Sequence, residues 1–179
     1  MKHWLVKSEP GTYSIDDLAR DGRTAWEGIR NYQARNNLRA MSVGDLVLFY
    51  HSSANPTGVA GVASVARAAY PDEAAFTKGH DYFDPKSDRA NPTWFLVDLS
   101  FVETLSRVVT LDELKQTPGL QDMVLIRSGR LSVQPVTASE FELVRKLGRA
   151  TASPVLAKAK KARAKAPRKS VKRSPKRKS

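Results

Sequence analysis

The run Leu46-Val47-Leu48-Phe49-Tyr50-His51 is too apolar to face water on either side if it is extended. Such a strand has to lie inside a sheet that is covered on both faces. A second run, residues 93–105, alternates with the period of a strand, with Trp94, Leu96, Asp98 and Ser100 on one face and Phe95, Val97, Leu99 and Phe101 on the other. Residues 3–7, 59–66 and 130–136 also read as strands, bounded by turn formers such as Ser8-Glu9-Pro10-Gly11 and Asn55-Pro56-Thr57-Gly58. The helices between them are short. Ser14 with Asp17, Thr110 with Glu113 and Thr137 with Glu140 carry the spacing of a capping box, which predicts helices over residues 15–20, just after 110, and 138–147. Another is expected over residues 31–40, and residues 70–92 read as a long loop with one helical turn near 73–76. With no regular βαβ alternation, the fold class is α+β: a small mixed or antiparallel barrel of about five to six strands with short helices.

Charge divides the chain in two. Residues 1–148 hold 17 Lys and Arg against all 18 Asp and Glu, a net charge of −1, whereas residues 149–179 hold 13 cations and no acid. One domain is therefore expected over residues 1–148, followed by a Lys/Arg/Ala/Pro-rich tail over 149–179 that lacks apolar groups to bury and should be disordered when free. Its cations are candidate phosphate ligands: Lys158, Lys160, Lys161, Arg163, Lys165, Arg168, Lys169, Lys172, Arg173, Lys176, Arg177 and Lys178. Each neutralised phosphate of duplex DNA adds about −0.9 to the salt slope of log affinity, so the tail implies strong, salt-sensitive, sequence-blind binding to a polyanion. A solubilising tail or a nuclear-import signal is the alternative.

The chain has no cysteine, which removes disulfides, thiolate nucleophiles and Cys-type metal sites. No apolar run approaches the ~18 residues of a membrane span, and the N-terminal residues lack a signal-peptide core. A monomer without membrane contact is expected, cytoplasmic and nucleoid-associated in a bacterium or nuclear in a eukaryote. His80-Asp81 with Asp84 is the one cluster that imitates a metal site, and it is too sparse to predict one. No nucleophile elbow or phosphate-cradling glycine loop is present, so neither catalytic residues nor a cofactor are expected.

Residues 26–39 (Trp26-Glu27-Gly28-Ile29-Arg30-Asn31-Tyr32-Gln33-Ala34-Arg35-Asn36-Asn37-Leu38-Arg39) alternate aromatics with amides and guanidiniums and hold only Ile29 and Leu38 as aliphatics of core size. Those groups stack on a flat ring and read its hydrogen-bonding edge, which points to a pocket for a base. Three further segments end or begin at predicted strand termini: Lys7-Ser8-Glu9-Pro10, Phe49-Tyr50-His51-Ser52 and Ser128-Gly129-Arg130-Leu131-Ser132-Val133-Gln134-Pro135-Val136. The candidate pocket residues are thus Lys7, Ser8, Glu9, Trp26, Arg30, Asn31, Tyr32, His51, Ser52, Arg130 and Ser132. Trp4 and Trp94, on apolar strands, are expected in the core. A structural reading competes at several pocket positions: Trp26 as a hinge plug, Arg30 in a surface ion pair, Tyr32 with its ring packed and its hydroxyl exposed, His51 as a satisfied core histidine.

Taken together, Trp4-Leu5-Val6-Lys7-Ser8-Glu9-Pro10, Arg30-Asn31-Tyr32-Gln33-Ala34-Arg35-Asn36, Gly44-Asp45, Phe49-Tyr50-His51-Ser52, Tyr70-Pro71-Asp72 and Arg130-Leu131-Ser132-Val133-Gln134-Pro135-Val136 resemble the motifs of the EVE domain family, a branch of the PUA-like barrels. The resemblance covers roughly residues 2–147. It implies a PUA-like barrel without catalytic activity that reads a modified base in DNA or RNA, chiefly modified cytosine of the 5-methylcytosine type. By that analogy Trp26 walls the pocket, while Ser8, Glu9 and Asn31 lie near the polar edge of the base. Two rival functions are a PUA-like RNA-binding module that reads tRNA or rRNA structure and a nucleic-acid hydrolase using Glu9, His51 and a water.

Overall fold

The apolar run lies where its composition requires. In the computed structural model, which describes residues 1–150, β3 (Leu46–His51) pairs parallel with β1 (His3–Ser8) on one side and antiparallel with β4 (Gly58–Pro71) on the other. The tail positions from Lys158 onward lie outside the described residues. The remaining elements are α1 (Ile15–Asp21), β2 (Arg23–Trp26), α2 (Tyr32–Arg39), a 3-10 turn (Glu73–Phe76), β5 (Phe95–Thr110), α3 (Leu111–Gln116), α4 (Val124–Arg127), β6 (Val133–Val136) and α5 (Ala138–Arg149). They build a six-stranded mixed sheet in the order β2-β5-β4-β3-β1-β6. Register shifts interrupt the β4–β5 ladder at four places, and such bulges bend and twist the long strands that carry them.

Alternation along β1 and β3 divides the core between the two faces. Trp4, Val6, Val47 and Phe49 join Ile15 and Leu18 of α1 and Ala34 and Leu38 of α2. Leu5, Leu48 and Tyr50 join Leu114, Leu125, Phe141 and Val144 from α3, α4 and α5. Each large side chain so buried contributes about 1.5–3 kcal/mol. The sheet edges β2 and β6 are not paired with each other; α2 bridges the gap. Asn37 Nδ2 donates to Val133 O at 2.7 Å, Arg35 donates to Thr93 O at 3.1 Å, and the Arg39 guanidinium lies 4.8 Å over the Phe95 ring.

The caps fall where the spacing placed them. Ser14 and Thr137 form complete capping boxes with Asp17 and Glu140, and Thr110 accepts from the backbone of Glu113; Asn31, expected at the polar edge of a base, caps α2 by accepting from the backbone of Ala34. Trp4 is buried because Asp45 takes its indole N–H at 3.0 Å together with the backbone N–H groups of Lys2 and Ser42. Burial pushes the Asp45 carboxyl up, but these hydrogen bonds outweigh it and hold the group below the usual carboxylate range.

Two elements are added and one expectation changes. Residues 23–26 form an edge strand held by pairing with β5, and residues 124–127 form a helical turn. The strand expected over 130–136 begins only at Val133, because Leu131 N–H closes a turn onto Ser128 O at 3.0 Å. No described helix is long and apolar enough to cross a membrane.

Candidate functional site

The parallel pairing of β1 and β3 sets their C-terminal ends side by side, with Lys7 opposite Tyr50 and Ser8 opposite His51. Ser52 N–H continues the ladder to Ser8 O at 2.9 Å, and Lys7 N–H reaches Ser132 O at 3.0 Å, so three segments distant in sequence meet here. Ser8 Oγ donates to Tyr13 O at 2.7 Å, and the exposed Glu9 accepts from Ser53 Oγ at 2.9 Å. His51 Nε2 accepts the backbone N–H of Ile15, the first residue of α1, at 3.1 Å, which requires a neutral imidazole nitrogen. Burial lowers its pKa from the ordinary value, against an upward pull from Asp16. Trp26 ends β2 with its ring edge-on to Phe49, centroids 5.4 Å apart. Only 8% of Trp26 is exposed, so its ring belongs to the core and presents no open face to a flat ligand.

Beside this cluster is an open concavity of about 380 Å³, lined by Asn31, Gln33, Arg127, Ser128, Gly129, Arg130 and Leu131. Asn31 spends its carbonyl on the N-cap of α2, accepting from Ala34 N–H at 3.0 Å. Lys7 Nζ donates to Gly129 O at 2.6 Å behind the same loop and lies 5.5 Å from the Tyr50 ring centroid. Burial lowers the Lys7 pKa. Among the described residues, Lys7, Arg127 and Arg130 form no salt bridge.

Arg30 and Tyr32 face elsewhere. The Arg30 guanidinium donates to Asp72 Oδ2 at 2.8 Å and twice to Tyr82 O, and its centre lies 5.4 Å from the rings of both Tyr82 and Trp94. Asp72 is fully buried and also accepts the backbone N–H groups of Gly28 and Ala74. Gly28 has φ 78°, and a Cβ there would stand 2.5 Å from the Tyr82 ring, so both backbone and packing demand glycine. Tyr32 is 62% exposed, with Trp94 5.1 Å away and the Arg35 guanidinium 4.9 Å over its ring. Arg30 thus straps residues 28–32 to the loop after β4.

Of the eleven candidate residues, the fold gathers Lys7, Ser8, His51, Ser52 and Ser132 at the strand ends, sets Trp26 beneath them, and puts Asn31 and Arg130 on the concavity. Glu9 lies at the outer rim. Gln33 and Arg127 line the concavity without having been singled out, although Gln33 belongs to the aromatic–amide stretch. Asp72 and Tyr82 went unrecognised as organisers because their partner Arg30 is 42 and 52 residues away in the chain. Among the described residues no group of three or more His, Asp or Glu side chains is placed to hold a metal ion.

The fold has close counterparts. The EVE domain model matches residues 2–147. Thymocyte nuclear protein 1 of Homo sapiens is 43% identical, with 79% of this chain and 72% of that protein covered. Human THYN1 protein, solved in complex with 5-methylcytosine-containing DNA, superposes with a TM-score of 0.78 at 41% identity, covering 84% of this chain and 99% of that one. A protein from Pseudomonas putida superposes with a TM-score of 0.78 at 49% identity, covering 81% of this chain and 98% of that one. The chain belongs to the EVE domain family.

Proposed function

We propose that this protein is a non-enzymatic reader of modified cytosine in DNA. One observation carries the reading: a relative of the same fold, matched over 99% of its own length, was solved with DNA containing 5-methylcytosine. Lys7, Ser8, Glu9, Trp26, Asn31, His51, Ser52, Arg130 and Ser132 surround or border the site, while Arg30 and Tyr32 face away from it and Arg30 ties residues 28–32 to the loop after β4. A base inside a duplex has to be flipped out or presented single-stranded, and flipping takes a few kcal/mol. Stacking returns about 1–3 kcal/mol per base, and a methyl group in an apolar niche adds about 1–3 kcal/mol, or 10–200-fold in discrimination. The tail cations, by this reading, add phosphate contacts that raise affinity without choosing the base.

A binding role also suits the chemistry of the site. Of the two groups that a hydrolase would use, His51 has its Nε2 lone pair committed to Ile15 N–H at the start of α1, and Glu9 lies at the exposed rim beside Ser53. In a eukaryotic source the relatives' names support a nuclear location.

The test is a titration of the full chain with matched single-stranded and duplex oligonucleotides carrying cytosine, 5-methylcytosine or 5-hydroxymethylcytosine, as DNA and as RNA. A preference of about tenfold for one modification in DNA is expected. Equal affinity across all the cytosines at moderate salt would sink the reading, and stronger binding of structured RNA irrespective of modification would favour an RNA-binding module.

A further inference from the structure

The concavity beside the strand ends does not have the walls of a base pocket. Its lining of Asn31, Gln33, Arg127, Ser128, Gly129, Arg130 and Leu131 contains no aromatic ring and a single large apolar side chain. A base placed there would find nothing to stack on, and stacking on an aromatic ring is worth about 1–3 kcal/mol per base. The lining instead has two guanidiniums, two amides and a serine, and no carboxylate.

That absence of acid is local. The described residues 1–150 hold as many cations as acids, yet the acids are gathered elsewhere. Asp17 and Asp21 pair with Arg20, Asp98 with Arg23, Asp72 with Arg30, Glu73 with Arg89, Glu113 with Arg107, and Glu103 with Arg145 and Arg149. Arg127 and Arg130 are exposed and have no carboxylate within salt-bridge distance among the described residues. The loop that carries them is held down rather than mobile in its bonding: Gly129 O accepts Lys7 Nζ, Ser128 O accepts Leu131 N–H and Gln134 Nε2, and Ser128 N–H donates to Val124 O at 2.7 Å. Two exposed guanidiniums carried by a braced backbone, on a cleft they share with the amides of Asn31 and Gln33, match a tetrahedral anion with several acceptor oxygens.

We infer that this concavity is the seat of one backbone phosphodiester of the bound strand, next to the nucleotide whose base is read, with Arg127 and Arg130 as its ligands and Gln33 as a further donor. The inference rests on the proposed reading for the identity of the neighbouring base. It assigns phosphate recognition to the folded domain itself, at one fixed position, in contrast to the sequence-blind and position-blind attraction expected of the tail. Arg130 then contributes to affinity and register, not to discrimination between cytosine and its modified forms.

Methylphosphonate scanning of a single-stranded oligonucleotide tests this with the full chain. One phosphate at a time is replaced by its neutral methylphosphonate around a single 5-methylcytosine. A loss of about tenfold in affinity, equivalent to ~1.4 kcal/mol, is expected at one flanking position and little at the others. The double variant Arg127→Gln with Arg130→Gln should bind the unmodified-backbone strand about as weakly as wild type binds that one methylphosphonate strand, should no longer respond to the replacement, and should keep the methylation preference. Both side chains are exposed, so the thermal midpoint should stay put. Equal losses at every position, or an undiminished response in the double variant, would overturn the assignment. Loss of methylation preference in the double variant would do so as well, because the concavity would then hold the base. If wild type shows no preference for a modified cytosine, the proposed function fails by itself. The assignment is then judged by titrating inorganic phosphate against the backbone amide resonances of Gln33 and Gly129, where saturable shifts in wild type that vanish in the double variant support it and unmoved resonances overturn it.

Discussion

Asp72 is the perturbation with the clearest energetic consequence. Its carboxylate is fully buried and accepts Arg30 at 2.8 Å, Ala74 N–H at 3.0 Å and Gly28 N–H at 3.2 Å. Asp72→Ala strands three donors, one of them a guanidinium that is itself only 22% exposed. Breaking a buried pair from one side costs about 3–5 kcal/mol. Arg30 keeps its bonds to Tyr82 O and Ile29 O, so the lower end, about 3 kcal/mol, is expected. In a domain of this size that lowers Tm by about 6–12 °C. Asp72→Asn keeps one acceptor oxygen and should lose about half as much. The neighbouring pair Arg89–Glu73 is the internal control. Its side chains are 65% and 69% exposed, so Glu73→Ala should change stability by no more than ~0.5 kcal/mol. Scanning calorimetry of the three variants reads the comparison directly, and equal Tm shifts in Asp72→Ala and Glu73→Ala would refute the strap. The strap also positions residues 28–32, so folded Asp72→Asn should lose affinity for a methylated oligonucleotide at 10 °C; unchanged affinity would leave Asp72 a purely structural residue.

Trp26→Ala should cost about 3–5 kcal/mol because the ring is buried against Phe49, which confounds any binding measurement. Trp26→Phe should retain the fold with a smaller loss of Tm, and reduce methylation preference by severalfold in a fluorescence-anisotropy titration; undiminished preference would place the pocket away from Trp26. For His51, burial holds the folded pKa below the ordinary 6.5, so the unfolded chain takes up the proton first. Its contribution is therefore intact above about pH 6.5 and drains as pH falls through the folded pKa; His51→Gln, which keeps an acceptor for Ile15 N–H, should flatten that part of the Tm-versus-pH curve, and an unaltered curve would contradict the assignment. Truncation to residues 1–148 should leave a folded domain, since a solved relative consists almost wholly of the matched region. Its plot of log affinity against log salt should fall from a steep slope in the full chain to about −1, one phosphate's worth; an unchanged slope would mean that the tail contributes nothing.

Local chemistry was legible in the chain. Ser14, Thr110 and Thr137 cap helices from three residues away, and the apolar run 46–51 could only be an interior strand, because both signals are written within one turn or one pleat. The EVE motifs were likewise continuous stretches, and with them came the family and its fold. Residues 23–26 were not legible as a strand. With Arg23 and Ala25 exposed, only their pairing with β5 defines it.

The site divided along the same line. The sequence by itself determined which side chains were available: an aromatic–amide–guanidinium stretch, Ser8-Glu9, His51 and a loop with Arg130. Tertiary structure decided their company. It turned Trp26 edge-on to Phe49, gave His51 to the start of α1, tied Arg30 to an aspartate 42 residues on, and left Arg127 and Arg130 facing a cleft without acid. Caps and periodicity are decided by energies between near neighbours. Which ring is covered, and which cation lacks a partner, depends on how a bent sheet is closed by α2, and that closure is a property of the whole chain.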